Sequence, residues 1–200
     1  MRSVALDLAK RAGMASACES TIAVIGGAGY LGSQVVKDLA LEFKKVVAVD
    51  IRFDKETKMT KNVLKTNDPS ALQGIKLFLL FTSCGDDLAP WVSFIESGSY
   101  IADDTHPCVG PALQEVLKSK KIYLLKAAAC NIKEPLITSL RLPNFQSDSI
   151  PGCLLEALVV ARCNSKVAED FGEFCESARL LGFGSQLMED LDEVLIGSKT

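Results

Sequence analysis

The only histidine of the chain, His106, lies in "YIADDTHPCVGP" behind two consecutive aspartates, Asp103 and Asp104. An imidazole titrates near neutral pH, and a neighbouring carboxylate favours its protonated form. The group therefore has the composition of an acid-base site, with His106 as proton donor or acceptor and Asp104 beside it. The same residues also read as a plain helix entry, with no proton to transfer. Cys84, Cys108 and Cys130 are candidate nucleophiles or, with His106, metal ligands. Such thiols more often serve as small buried residues, and His-x-Cys with scattered partners predicts no metal site.

A second chemistry is written in backbone. In "IAVIGGAGYLGSQVVKDLALEFKKVVAVDIR", Ile22 to Arg52, the string Gly27-Ala28-Gly29-Tyr30-Leu31-Gly32 is a G-x-G-x-x-G between an apolar run and an amphipathic one. Glycines there permit a tight turn, let backbone approach a pyrophosphate and bring helix close to strand, and the helix N-terminus attracts the phosphates. Tyr30 and Leu31 would present backbone groups to them. Asp50 lies 18 positions past Gly32, at the end of the next apolar run, where a carboxylate can accept both ribose hydroxyls. The pattern predicts a dinucleotide site. Asp50 repels a 2′-phosphate and so favours NAD, while Arg52, Lys55 and Lys58 follow closely enough to recruit one and keep NADP open. S-adenosylmethionine is the other candidate, since its sites also pair a glycine loop with an acid, but Gly32 at the helix-packing position favours the dinucleotide.

These residues need a scaffold, and the chain has its rhythm. Apolar runs at residues 21–26, 45–50, 63–66, 76–82, 100–104 and 122–127 alternate with helix signals. The first helix carries Leu31, Val35, Leu39 and Phe43. The next starts at Asp86 or Asp87 and carries Leu88, Trp91, Val92 and Ile95; a third opens at Pro111. Runs apolar at consecutive positions suit strands covered on both faces. The expectation is an α/β fold, a doubly wound and mostly parallel sheet with helices on both faces, forming one domain over residues 21–200 behind a helical leader at 1–20. Ligands of such sheets sit at the carboxyl ends of the strands. Thr82 and Ser83, with Cys84 and Gly85, then join the cofactor side; Asp103 to His106, Lys126, Cys130 and Asn131 lie at the neighbouring ends.

From Asn131 to Gly152 the rhythm lapses into prolines among apolar residues (Ile132, Leu136, Ile137, Leu140, Leu142, Phe145), which reads as a lid, a subunit contact or a loop over a sheet edge. Beyond it "CLLEALVVAR" reads as a strand, residues 165–181 as one helix, and "SQLMEDL" as an edge strand.

A formal charge of −3 offers no phosphate-neutralising surface, so nucleic acid is not an expected partner. Seven cysteines, an odd number with no C-x-x-C pair, suit a reducing cytoplasm. Asp7, Lys10 and Arg11 interrupt the N-terminal apolar residues, so no secretory signal is expected, and Val4, Ala5, Leu8 and Ala12 instead recur at helical spacing; an organellar transit peptide is the weaker alternative. No run reaches membrane-spanning length.

"IGGAGYLGS" resembles the opening of extended short-chain dehydrogenases, but their Tyr-x-x-x-Lys pair is missing: Gln34, Asp104 and Ala127 follow the three tyrosines by four. In layout the chain is similar to the N-terminal domain of prephenate dehydrogenase-like proteins, with "YIADDTHPCVGPALQEVL" and "KIYLLKAAACN" in the corresponding order. The resemblance implies a Rossmann-type NAD(P)-dependent oxidoreductase, or its cofactor domain, acting on a small molecule, and a likeness to dimeric enzymes. Two departures stand out. The His-Pro pair follows the fifth strand here and the sixth there, and the helical second domain of that family has no counterpart before Thr200. A non-catalytic NAD(H)-sensing module and a methyltransferase are the alternatives.

Overall fold

The structure is a computed structural model and describes residues 1–54, 58–133, 145 and 148–188. Where the sequence reads as one domain behind a leader, the chain divides into two compact units, Met1–Lys126 and Ala127–Thr200.

In the first unit, α1 (Arg2–Arg11) precedes β1 (Thr21–Ile25), α2 (Tyr30–Leu39), β2 (Lys45–Val49), β3 (Lys58–Thr60), β4 (Val63–Thr66), β5 (Leu77–Leu80), β6 (Tyr100–Asp103), α3 (Pro111–Ser119) and the start of β7 (Tyr123–Asn131). The strands run in the order β3-β4-β2-β1-β5-β6-β7, all parallel except the β3–β4 hairpin. Without β3 this is the third-second-first-fourth-fifth-sixth order of a Rossmann-type doubly wound sheet. The fold class and the six parallel strands expected from the apolar runs are those observed.

Consecutive strand residues are buried because both faces are covered. Ala23, Ile25, Val47, Val49, Phe78, Leu80 and Ile101 pack with Leu72, Leu88, Trp91, Val92, Val109 and Leu117 in one core. The alternate positions Ile22, Val24, Val46, Leu77 and Leu79 are buried as well. The N-terminal helix lies against β5, β6 and α2 with Val4, Ala5, Leu8 and Ala9 buried. The buried side of α2 is Gly32, Val36 and Leu39, continued by Phe43, whereas Leu31 is exposed. A strict spacing of four drifts about 40° per step around a helix, which moves the contact off Leu31.

The helix expected after Asp86 is a 3-10 segment, Gly85–Phe94, with Cys84 at its cap and Pro90 inside. Proline removes an amide donor and crowds the preceding turn, which disfavours an α-helix there.

The second unit holds the end of β7, β8 (Ser149–Ile150), α4 (Gly152–Arg162), α5 (Phe171–Leu180) and β9 (Phe183–Met188). Ala129 and Cys130 pair antiparallel with Ile150 and Ser149, and β9 also pairs with β7. "CLLEALVVAR" is a helix and not the expected strand. A continuous apolar run does not separate the two by periodicity, and this one is ten residues long with three leucines and two alanines, both strong helix formers. Residues 165–181 do not form one helix either: a 3-10 turn, Ser165–Ala168, ends before Asp170, whose carboxylate caps α5 by accepting the Glu173 amide at 2.8 Å. Val159, Val167 and Ala178 form the small core of this unit. The expected lid or contact from Asn131 to Gly152 falls largely on residues 134–144, 146 and 147, outside the described residues. Among the described residues no helix is long and apolar enough to cross a membrane.

Candidate functional site

Register aligns the carboxyl ends of the first unit's strands. Thr66, Val49, Ile25, Leu80, Asp103 and Lys126 are successive partners across β4-β2-β1-β5-β6-β7. The residues that follow the row, Asp50, Gly26, Phe81 and Asp104, therefore share one edge of the sheet. Strand order reverses between β1 and β5, and there a crevice opens in sheets of this kind.

The glycine loop occupies that point. Gly26, outside the G-x-G-x-x-G string, has φ +86° and lies so close to the next strand that an added Cβ would stand 2.5 Å from the Phe81 carbonyl oxygen. At Gly27 a Cβ would meet the Ala48 methyl at 2.9 Å, and at Gly32 it would strike the Gly26 carbonyl. The loop is thus pressed between β2, β5 and the first turn of α2. Gly29 is the N-cap of α2, no side chain caps the helix, and Tyr30 and Leu31 expose their side chains. An uncapped first turn presents amide donors and the positive end of the helix dipole.

Asp50 is tied to this loop. Its Oδ2 accepts the Ala28 amide at 3.0 Å and Arg52 Nη2 at 2.9 Å, and its Oδ1 accepts the Arg52 amide and Nε, each at 3.0 Å. Burial raises the Asp50 pKa, but hydrogen bonds from the Arg52 side chain and amide and from Ala28 outweigh it and hold the carboxyl below its ordinary value.

Side chains make up the other end of the row. Asp103, 1% exposed, accepts the Thr105 amide at 2.8 Å and hydroxyl at 2.5 Å on Oδ1, and the Val109 amide at 3.1 Å on Oδ2. Lys126 Nζ stands 3.9 Å from Asp103 Oδ2 and donates to the Thr105 carbonyl at 2.7 Å. This buried aspartate thus shapes the turn from Asp104 to Val109. Burial pushes the Asp104 carboxyl up to about 6, against the pull of Lys126. His106 is exposed, and desolvation followed by repulsion from Lys126 lowers its pKa despite Asp103. The aspartates therefore do not hold His106 protonated, as the sequence suggests. Partial desolvation and the lysine outweigh Asp103.

Thr82 and Ser83 spend their hydroxyls locally, on the Cys84 carbonyl at 2.7 Å and on Asp87 Oδ2 at 3.0 Å. Two contacts that the sequence reading does not foresee join the β5 and β6 loops. The Gly85 amide donates to the Pro107 carbonyl at 2.9 Å, with no room for a Cβ against Val109, and Asp86 Oδ1 accepts the Gly110 amide at 2.7 Å. "GDD" and "VGP" carry the residue types for such a clasp, but only register brings them together. Cys130 and Asn131 belong to the second unit, where Cys130 is buried and Asn131 donates to the Leu181 carbonyl at 3.2 Å. Among the described residues no group of three or more His, Cys, Asp or Glu could hold a metal ion.

No protein-family model and no curated protein matches the chain. Among solved structures it is similar to shikimate 5-dehydrogenase from Listeria monocytogenes in complex with shikimate and NAD (14% identity, 60% of this chain and 50% of that one, TM-score 0.43). Others are a glycerate dehydrogenase related protein from Thermoplasma acidophilum (17%, 70% and 52%, TM-score 0.41) and a D-isomer specific 2-hydroxyacid dehydrogenase family protein from Klebsiella pneumoniae 342 (16%, 56% and 38%, TM-score 0.42). The chain spans about half or less of the length of these structures.

Proposed function

We propose that the chain is an NAD(P)-binding oxidoreductase, or the cofactor half of one, that moves a hydride to or from a small-molecule substrate. The observation that carries this reading is the glycine loop at the point where strand order reverses, hydrogen-bonded through Ala28 to the acid at the end of β2. The glycines let the loop backbone pack tightly against β2 and turn into α2, so that it can approach a pyrophosphate, the first-turn amides of α2 receive it, and Asp50 lies where an adenosine ribose belongs. The free 2′-hydroxyl of NAD suits a carboxylate better than the phosphate of NADP does.

The nicotinamide, when bound, supplies a hydride acceptor or donor at its C4 carbon. The chain must also move one proton at the substrate oxygen. Asp104 and His106 are the groups for it: burial pushes the Asp104 carboxyl up to about 6, desolvation and Lys126 hold the His106 imidazole below its ordinary value, and Asp103 with Lys126 fixes the turn that carries them. His106, in its neutral form, takes the proton of an alcohol and returns it to a carbonyl. Thr82 and Ser83 border the cofactor from β5. A homodimer and a cytoplasmic location belong to the same reading.

A thermal-shift comparison tests the reading. NADH or NADPH should raise the melting temperature more than S-adenosylmethionine does, through binding to the native state. A larger shift with S-adenosylmethionine would point to methyl transfer instead.

A further inference from the structure

Asp50 has no acceptor to spare. A carboxylate offers about four lone-pair positions, and Asp50 receives four donors: the Ala28 amide, the Arg52 amide, Arg52 Nε and Arg52 Nη2. Three of the four come from Arg52. Its guanidinium spans both carboxylate oxygens, and Nη2 also covers the loop, 3.5 Å from where a Cβ on Gly29 would stand. The arginine therefore occupies the place in which the ribose hydroxyls would be received.

The two side chains are held unequally. Asp50 is 6% exposed and anchored by the loop amide, whereas Arg52 is 61% exposed and is held there by the fork itself. The exposed guanidinium swings into solvent at modest cost when ribose hydroxyls replace it on the carboxylate. A dinucleotide with a free 2′-hydroxyl must displace the fork and offers the guanidinium nothing in exchange. One with a 2′-phosphate offers a dianion that the same planar fork can grip with two parallel hydrogen bonds.

We propose that the Arg52–Asp50 fork is the specificity switch of the site, closed over the ribose acceptor in the free protein and drawn off it by a 2′-phosphate, so that the site takes both dinucleotides in a ratio set by Arg52. This rests on the dinucleotide reading above. It adds that Arg52 competes with NAD while it recruits NADP.

Fluorescence titrations of the full chain with NADH and NADPH test it, on the unmodified protein, R52A and R52K. Removing the fork should tighten NADH about three- to tenfold and weaken NADPH about tenfold. Lysine keeps the charge but cannot span both oxygens, so R52K should keep the NADH gain and lose less NADPH affinity. If the unmodified protein binds NADH and R52A binds it equally or more weakly, the switch is refuted and the dinucleotide reading stands. If the unmodified protein binds neither, that reading falls and the switch with it.

Discussion

The two ends of the row at the carboxyl edge are built from different materials. Around β1 and β2 the site is backbone, with glycines pressed against Phe81, Ala48 and each other and a single acid pinned to the loop. Around β6 and β7 it is side chain, a buried aspartate and lysine holding a turn from which Asp104 and His106 emerge. In the proposed reading, the backbone cradle would receive what every dinucleotide shares. A turn held by buried polar groups can change what it presents without changing the sheet, and so suits the part of a site that must fit one substrate.

The two halves should fail differently. Asp103→Ala leaves the Thr105 and Val109 amides and the Thr105 hydroxyl without their acceptor and removes the carboxylate that faces the Lys126 ammonium at 3.9 Å, all buried or nearly so. Losing one member of a buried ion pair costs about 3–5 kcal/mol, so urea denaturation should show a loss of that size. Cofactor affinity of the surviving folded fraction should change little. Gly26→Ala attacks the other half, combining φ +86° with a collision at the Phe81 carbonyl. A loss of about 2–4 kcal/mol is expected, here accompanied by loss of nucleotide binding in the same titrations. If Gly26→Ala binds nucleotide as well as the parent, the cradle is not what the ligand reads.

A smaller effect sharpens the side-chain half. The Asp104 pKa, about 6, lies above its ordinary 3.8. Because the folded form binds this proton more tightly than the unfolded form, stability is greatest below about pH 4 with respect to this group and declines as pH rises to about 6. Asp104→Asn should therefore stabilise the protein at pH 7 by about 1–2 kcal/mol after allowance for partial exposure, and have no effect near pH 4. Equal stabilisation at both pH values would mean that Asp104 ionisation is not the cause.

The same division explains what was legible in the sequence. The cradle needs residue types that few other structures need, a glycine string followed by an acid at a set distance, so Gly27, Gly29, Gly32 and Asp50 could be read directly. The apolar runs gave the parallel strands, since burial on both faces writes itself into composition. Asp103 and Lys126 could not be paired in advance because their partnership depends on β6 and β7 lying in register. The fork from Arg52 depends on the turn after β2, closed by the Phe53 amide on the Asp50 carbonyl at 3.1 Å. The apolar run of α4 fits strand and helix equally well by pattern. Length and propensity decided it.

Amide hydrogen exchange with and without NADH or NADPH tests the central claim most directly, because it reports where the ligand sits as well as whether it binds. The expected result is slowed exchange in the segment from Gly26 to Ser33 and around Asp50, with S-adenosylmethionine giving no comparable protection. Binding that leaves those amides unprotected, or protection there by S-adenosylmethionine alone, would contradict it.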